Sequence, residues 1–490
     1  MPRQVWRALG SVHGTCAIFD DSLRPLRRTM ADQIHDIDTT RPIDGDRVPE
    51  LAGGLPLLGH LTEFQKDPVA LLLRGCRDHG DLYRFRIGPC DFVLFSGLEA
   101  HEAYFKAPDD QLDPKSVYQF TVPIFGKGVA YDVAPEIMTE QLGFLFPALR
   151  ESAMRRYVAI MYDEASRFAD RMGTEGKLDL PVAMNELTVN IASRCFLGEE
   201  IRQEVDAEFA EAYHELQNGI NTIGFFFPRI PIPAHRRRDK ARRQITEIFT
   251  RVMAEHRDIE TESESFMQTL MKAHYKDGRK LTVDEITGIL VTALFAGQHT
   301  SAVLATWTGL ELARDETYLN RVREEMQEVY KEEGEMSLAG LRHQQALENA
   351  VRECERLHPP LILLIRKVMR PLKYRNLVVP ENTMAVVSPA VSHRLEHLFS
   401  DPDRFNPDRF MSPLNEDMQG LIGFGGGKHR CMGKNFAILQ IKALWTALLD
   451  RFEFSLDAPF PSPNYGSWVT GPRLPCLLQY RSRSPQSVFH

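Results

Sequence analysis

The sequence predicts a mainly α protein with a smaller β-rich part, an α+β fold built as one large domain. Three observations predict it. Helical patterns dominate from about residue 136 to about 350. The run DLYRFRIGPCDFVLFSG (81–97) reads as two strands on either side of a Gly88-Pro89 turn, a hairpin. No internal repeat and no obvious linker divides the 490 residues.

In chain order, residues 1–45 are charged and irregular and read as a loosely ordered leader, with residues 46–490 as the domain. The first 21 residues, MPRQVWRALGSVHGTCAIFDD, hold only a short apolar stretch and soon reach acids. They read as neither signal peptide nor anchor, and Met30 is an alternative start. RVPELAGGLPLLGHL (48–62) is rich in Pro and Gly and reads as a turn-rich entry. GFFFPRIPIP (224–233) reads either as buried core or as a loop that dips into a membrane surface. The strongest basic run follows, HRRRDKARR (235–243). It reads as a solvated helical face, or as a contact for an acidic electron-transfer partner. LTVDEITGILVTALFAGQHTSAVLATWTGLELARD (281–315) reads as one long buried helix, with Thr282 and Glu285 as a capping box. Gly297, Gln298, His299 and Thr300 interrupt its apolar middle.

Composition excludes several classes. Apolar residues make up 43% and charged residues 26%, ordinary for a soluble globular protein. The formal net charge of −8 argues against a nucleic-acid binder. Seven cysteines, an odd number with no CxxC pair, argue against a disulfide framework and a zinc ribbon. They fit a reducing compartment, hence a cytoplasmic location. No run reaches the ~18 continuous apolar residues of a membrane span.

The chemistry concentrates in FGGGKHRCMG (424–433). Glycines permit a left-handed backbone and its close approach to another group. A helix is expected just after Cys431, with Phe436, Ala437, Ile438, Ile441, Leu444 and Leu448 as its apolar stripe. A cysteine at a helix N-terminus has its thiolate stabilised by free N–H groups and the macrodipole. His429 and Arg430 add donors and positive charge. A lone cysteine would read as a small core residue. The whole ten-residue pattern reads instead as a thiolate held against a large flat group, which suits an axial ligand to haem iron.

On these residues the chain resembles the cytochromes P-450, the haem-thiolate monooxygenases. Their loop, Phe-x-x-Gly-x-x-x-Cys-x-Gly, is filled by Phe424, Gly427, Cys431 and Gly433. The resemblance implies the P-450 fold enclosing haem b, with Cys431 as axial ligand to the iron. Phe424 and Gly425 belong to its haem-binding loop. Glu353 and Arg356 in VRECERLHPP stand at i, i+3 on a helix and would face each other. By the resemblance they are buried and joined by Arg409 of FNPDRF, a triad that holds the cysteine region. At Gly297–Thr300 a satisfied buried histidine is one reading. The resemblance favours another, a local opening of the helix where Thr300 and His299 manage oxygen and protons.

AGQHTS is similar to the sterol 14α-demethylases of the bacterial soluble type, as is VYQFTVPIFGKGVAYDV (117–133). That resemblance places Tyr118, Arg366 and His429 on the haem propionates. Phe120, Phe125, Tyr131, Ala296, Leu361 and Leu363 would line the sterol cavity, as an apolar substrate requires. It covers about residues 49–482. Two departures stand out. Residues 137–149 carry no base where the subfamily usually has one for a propionate. Ala302 stands where a small hydroxyl residue is common.

The implied activity is oxidation of a sterol 14α-methyl in three oxygen- and NADPH-dependent steps, ending in formate. No flavin, dinucleotide or iron–sulfur fingerprint is present, so electrons would come from a separate donor, a ferredoxin with its reductase or another redox partner. A steroid or terpenoid hydroxylase performing one oxidation is the alternative. A non-turnover sterol or haem binder, or an electron-independent haem-thiolate isomerase, is a third reading. The His299–Thr300 pair speaks against it.

Overall fold

The computed structural model describes residues 46–483 apart from 220–223, 225–226, 256–264, 334–335, 412–419 and 457. The expected leader lies outside the described residues, as do positions 225 and 226 of the proline-punctuated run. The described chain forms two compact units. One runs up to Val117 and includes Leu363–Ser392. The other comprises Tyr118–Ile362 and the chain from His393 onward.

The first unit is the β-rich one. The expected hairpin is present: Leu82–Ile87 pairs antiparallel with Cys90–Phe95, and Gly88 at the turn has φ +56°. Only a residue without Cβ takes that conformation readily. The five-stranded sheet continues through Met384–Val387 and Leu364–Val368 to the short strand Leu112–Asp113. Phe85, Val93, Phe95 and Val386 are fully buried. Helix Pro68–His79 starts as its sequence dictates, with Pro68 in the first turn. The Asp67 carboxylate accepts the Ala70 N–H at 2.9 Å. A Cβ at Gly75 of this helix would lie 2.1 Å from the Tyr83 ring, so the close helix–strand contact needs glycine. Asp46–Arg47, Leu377–Val379 and Leu372–Tyr374 make a second, three-stranded sheet.

The second unit is helical. Its axis is the 32-residue helix Val283–Arg314, which packs against helices Leu180–Leu197, Gln345–Leu357 and Lys434–Arg451. Both bonds of the capping box are made. Thr282 Oγ1 accepts the Glu285 N–H at 3.2 Å, and Glu285 accepts the Thr282 N–H at 2.8 Å. Among the described residues this is the one helix long and apolar enough to cross a membrane, but 56% of its most apolar window is buried inside the protein. A helix with most of its apolar surface packed against other helices is a core helix. Its contact with Lys434–Arg451 is close. A Cβ at Gly309 would lie 2.0 Å from the Trp445 ring, and Trp445 Nε1 donates to the Ala305 carbonyl at 2.9 Å. Strands Phe452–Ser455, Leu477–Ser482 and Glu175–Asp179 form a small antiparallel sheet in this unit.

The basic run 235–243 departs from a purely solvated face. It lies in helix Pro233–Glu255, and Arg236, Arg237 and Arg243 are exposed. His235, Arg238 and Arg242 turn inward. Arg242 Nη2 donates to the Phe125 carbonyl at 3.2 Å and the Asp284 carbonyl at 3.4 Å. Helical period 3.6 divides a charged run between two faces, so the run's composition alone conceals the inward arginines.

Candidate active site

The cysteine loop is a tight, glycine-dependent turn. Gly425 and Gly427 have φ +69° and +60°, left-handed values that side chains resist. The turn closes when the Cys431 N–H donates to the Phe424 carbonyl at 2.9 Å. Helix Lys434–Arg451 begins three residues later, and most of its residues are buried. Among the six described cysteines Cys431 alone is exposed. Desolvation by the surrounding protein nevertheless pushes its thiol above the ordinary value. The N–H groups of Gly433 and Lys434 act the other way, as donors aimed at the sulfur. The Lys434 ammonium stands 5.3 Å from the Phe424 ring centre. His429 is half-buried in the single turn Gly427–His429.

The long helix leaves one face uncovered. Ala296 and His299 are exposed and Thr300 half-buried, although the helix around them is core. Positions i, i+3 and i+4 share one face. A Cβ at Gly297 would lie 3.9 Å from the Phe436 ring, three residues after Gly433, so this turn sits beside the start of the helix that follows Cys431. The helix is continuous through the turn, without the expected local opening. Thr300 Oγ1 donates to the Ala296 carbonyl at 2.8 Å, one turn back. Although His299 is open on this face, desolvation by the protein around it lowers it below the usual histidine value, which keeps the imidazole neutral near pH 7. Gln298 points to the opposite side. Its amide nitrogen donates to Asn185 Oδ1 at 2.6 Å, and its oxygen accepts from Tyr213 at 3.3 Å and from Gln217.

The segment 118–131 gathers aromatic rings. Tyr118 stacks on Tyr131 at 4.9 Å, Phe120 on Trp468 at 4.9 Å, and Phe125 meets Phe295 edge-on at 6.0 Å. The helix expected to lack a base is Pro135–Gly143. Its inward polar residue is Gln141. The Gln141 amide donates to the Gly128 carbonyl at 2.7 Å and to Tyr275 Oη at 2.9 Å, and accepts the Ala130 N–H at 2.9 Å. It ties the helix to the turn that carries Tyr131, and Ala130 there has a strained φ of +52°.

Glu353, Arg356 and Arg409 are buried together. Arg356 donates to the two Glu353 oxygens at 2.7 and 2.8 Å, and Arg409 Nε to both at 3.1 Å. Arg356 also donates to the carbonyls of His393, Pro402 and Arg404. Leu361 is half-buried in the same unit. In the first unit Leu363 is half-buried and Arg366 buried. The Arg366 guanidinium lies 4.7 Å from the Tyr104 ring centre and donates to the Tyr104 carbonyl at 3.1 Å. Among the described residues no carboxylate forms an ion pair with it, leaving a buried cation suited to an anionic group.

A family model described as Cytochrome P450 matches residues 49–474. The chain belongs to the cytochrome P450 family. It is 36% identical over 447 residues to an obtusifoliol 14-alpha demethylase of Triticum aestivum, covering 89% of this chain and 99% of that one. It is 35% identical to a sterol 14alpha-demethylase of Mycobacterium tuberculosis (89% and 98%) and 34% to a lanosterol 14-alpha demethylase of Bos taurus (90% and 89%). The solved structure of cyanobacterial CYP120A1 with retinoic acid bound aligns with a TM-score of 0.78 at 20% identity, over 90% of this chain and all of that one. That likeness shows the shared P450 fold. The protein is a P450 monooxygenase similar to sterol 14α-demethylases, and its cofactor is haem b. The residues present fit that group. They offer one accessible sulfur in a protein-walled recess, N–H donors behind it, a permissive glycine turn, and an uncovered helix face bearing a hydroxyl and a neutral imidazole.

Proposed function

We propose that the chain removes a sterol 14α-methyl group in three successive oxidations, methyl to alcohol, alcohol to aldehyde, and aldehyde to formate with a new ring double bond. Each step consumes one O2 and two electrons that originate from NADPH. The similarity to relatives named for 14α-demethylation in a plant, a mycobacterium and a mammal, at 34–36% identity over about nine-tenths of the chain, carries this reading. Haem held by a cysteine thiolate would supply the reductive activation of oxygen. Cys431 is the residue to hold the iron, seated by the Gly433 and Lys434 N–H groups. Thr300 offers a hydroxyl that can leave the Ala296 carbonyl to donate into the recess. His299, neutral near pH 7, can accept and return a proton beside it. Tyr118, Arg366 and His429 would hold the propionates, with Phe424 and Gly425 packing the loop against the macrocycle. Phe120, Phe125, Tyr131, Ala296, Leu361 and Leu363 would line an apolar cavity that orients the sterol and excludes water. Glu353, Arg356 and Arg409 would keep the cysteine region in place.

Electrons would arrive from a ferredoxin with its reductase. A cytoplasmic site of action with peripheral membrane contact is part of the proposal, motivated by the exposed Ile230 in the proline-punctuated run. One observation favours a second reading, a steroid or terpenoid hydroxylase that stops after one oxidation. Gln141 is committed to the Gly128 and Tyr275 contacts, on a helix where the subfamily usually carries a base. The deciding experiment incubates haem-loaded protein with a 14α-methyl sterol, ferredoxin, reductase and NADPH. Formate and demethylated sterol in equal amounts are expected. Hydroxylated product without formate would overturn the three-step reading in favour of the second.

A further inference from the structure

Helix Gln345–Leu357 carries a second buried glutamate besides Glu353. Glu355 is 2% exposed and sits beneath the cysteine loop. A Cβ at Gly423 would lie 2.6 Å from Glu355 Cγ and Oε1, so the loop backbone rests on this side chain. The Phe424 N–H favours the charged form of the carboxyl, and the Phe424 carbonyl accepts the Cys431 N–H. Glu355 Oε2 has no hydrogen-bond partner, and no lysine, arginine or histidine among the described residues forms an ion pair with the carboxyl. A buried carboxyl with an unsatisfied oxygen is costly to keep, and Leu or Met would fill the same volume without that cost.

The groups that face Glu355 are few. Lys434 stands at the start of the following helix, Arg430 in the loop and Arg352 on its own helix. Arg352 pairs with Glu348, which also receives Lys442 at 3.0 Å. The field of Glu355 reaches the sulfur: its carboxylate raises the Cys431 thiol, while the Lys434 ammonium lowers it. One carboxylate and one ammonium of opposite effect thus flank the thiolate loop.

We propose that Glu355 is a positioning and charge-setting residue, whose carboxylate beneath the cysteine loop sets the haem reduction potential in opposition to Lys434. This rests on Cys431 being the axial ligand. Reduction of the ferric site adds one electron from an external donor. A nearby negative charge opposes that addition and a positive charge favours it. Burial raises Glu355 to about 7, so its charge is gained or lost around neutral pH.

The test is a spectroelectrochemical titration of the haem-loaded full chain with dithionite, comparing the parent with Glu355→Gln and Lys434→Met from pH 6 to 8. Glu355→Gln should shift the potential positive and flatten its dependence on pH. Lys434→Met should shift it negative. Opposite signs are not produced by a loosened loop, so Lys434→Met and Glu355→Leu keep the test open should Glu355→Gln load haem poorly. Equal potentials in all variants, or shifts of one sign, would overturn the proposal. A ferrous–CO spectrum of each sample separates this from its premise. If the parent itself lacks the long-wavelength thiolate band, the Cys431 assignment fails, and this proposal with it. If the band is present and the potentials coincide, only the Glu355 role fails.

Discussion

Replacing Glu353 by Gln keeps the side chain's shape and removes its charge. Two arginines converge on this carboxylate, Arg356 through bonds of 2.7 and 2.8 Å and Arg409 through Nε at 3.1 Å to each oxygen. The Asn406 N–H adds a fourth donor group at 2.8 Å. Glu353 and Arg356 are fully buried and Arg409 nearly so. Glutamine leaves one acceptor oxygen and turns an NH2 towards guanidinium donors, so two buried cations lose their counter-charge. Removing one partner of a buried ion pair costs ~3–5 kcal/mol. Arg356 keeps its three carbonyl acceptors, which places the expected loss near the lower end, about 3 kcal/mol. Set against a total stability of ~5–15 kcal/mol, this is a large fraction. Urea denaturation followed by fluorescence of Trp307 and Trp445, both buried in the same unit, reads it directly. Glu102→Gln, which breaks the exposed i, i+4 pair with Lys106, is the control and should barely move the midpoint. If Glu353→Gln is no more destabilising than that control, the triad does not hold the cysteine region.

Other perturbations follow from the same contacts. Gly309→Ala forces a methyl into the Trp445 ring, which is anchored by its bond to Ala305. The expected loss is ~1–3 kcal/mol, read as a lowered Tm, and an unchanged Tm would mean the helices can separate at no cost. Burial lowers His101 to about 4 from 6.5, while the unfolded chain takes up the proton near 6.5. The unfolded state therefore gains the proton first, and stability falls as pH drops from about 6.5 towards about 4, by up to ~3 kcal/mol. His101→Asn should flatten that part of a stability–pH profile, and an equally steep profile in the variant would refute the assignment. Thr300→Ala should lower turnover about 10²-fold while sterol binding persists, with Thr300→Ser restoring most of it. Equal turnover in both variants would remove the hydroxyl from the reaction.

Much of this was legible locally. The capping box at Thr282 and Glu285, the hairpin across Gly88 and the glycine turn before Cys431 depend on short spacings and special backbone angles, which a sequence displays. The Glu353–Arg356 pair was visible as i, i+3. What escaped depends on tertiary depth. Glu355, two residues from Glu353, matches no spacing rule that reveals a loop lying across it; the only trace is an acid on a helix whose neighbours are buried. Gln298 shows no sign in sequence of its ties to Asn185, Tyr213 and Gln217 on two other helices. The inward turn of Arg238 and Arg242 is hidden inside a run that reads as uniformly basic. Thr300 back-bonding to Ala296 satisfies the hydroxyl within the helix, so the expected opening is not needed to keep that residue there.

The central claim is that Cys431, held by the Gly433 and Lys434 N–H groups at the head of a buried helix, is the haem-iron ligand. The measurement that tests it most directly is the ferrous–CO spectrum of the haem-loaded parent beside Cys431→Ser. The account predicts the long-wavelength thiolate band in the parent and its loss in the serine variant, with overall fold retained by circular dichroism. The same band in Cys431→Ser, or none in a fully haem-loaded parent, would contradict it.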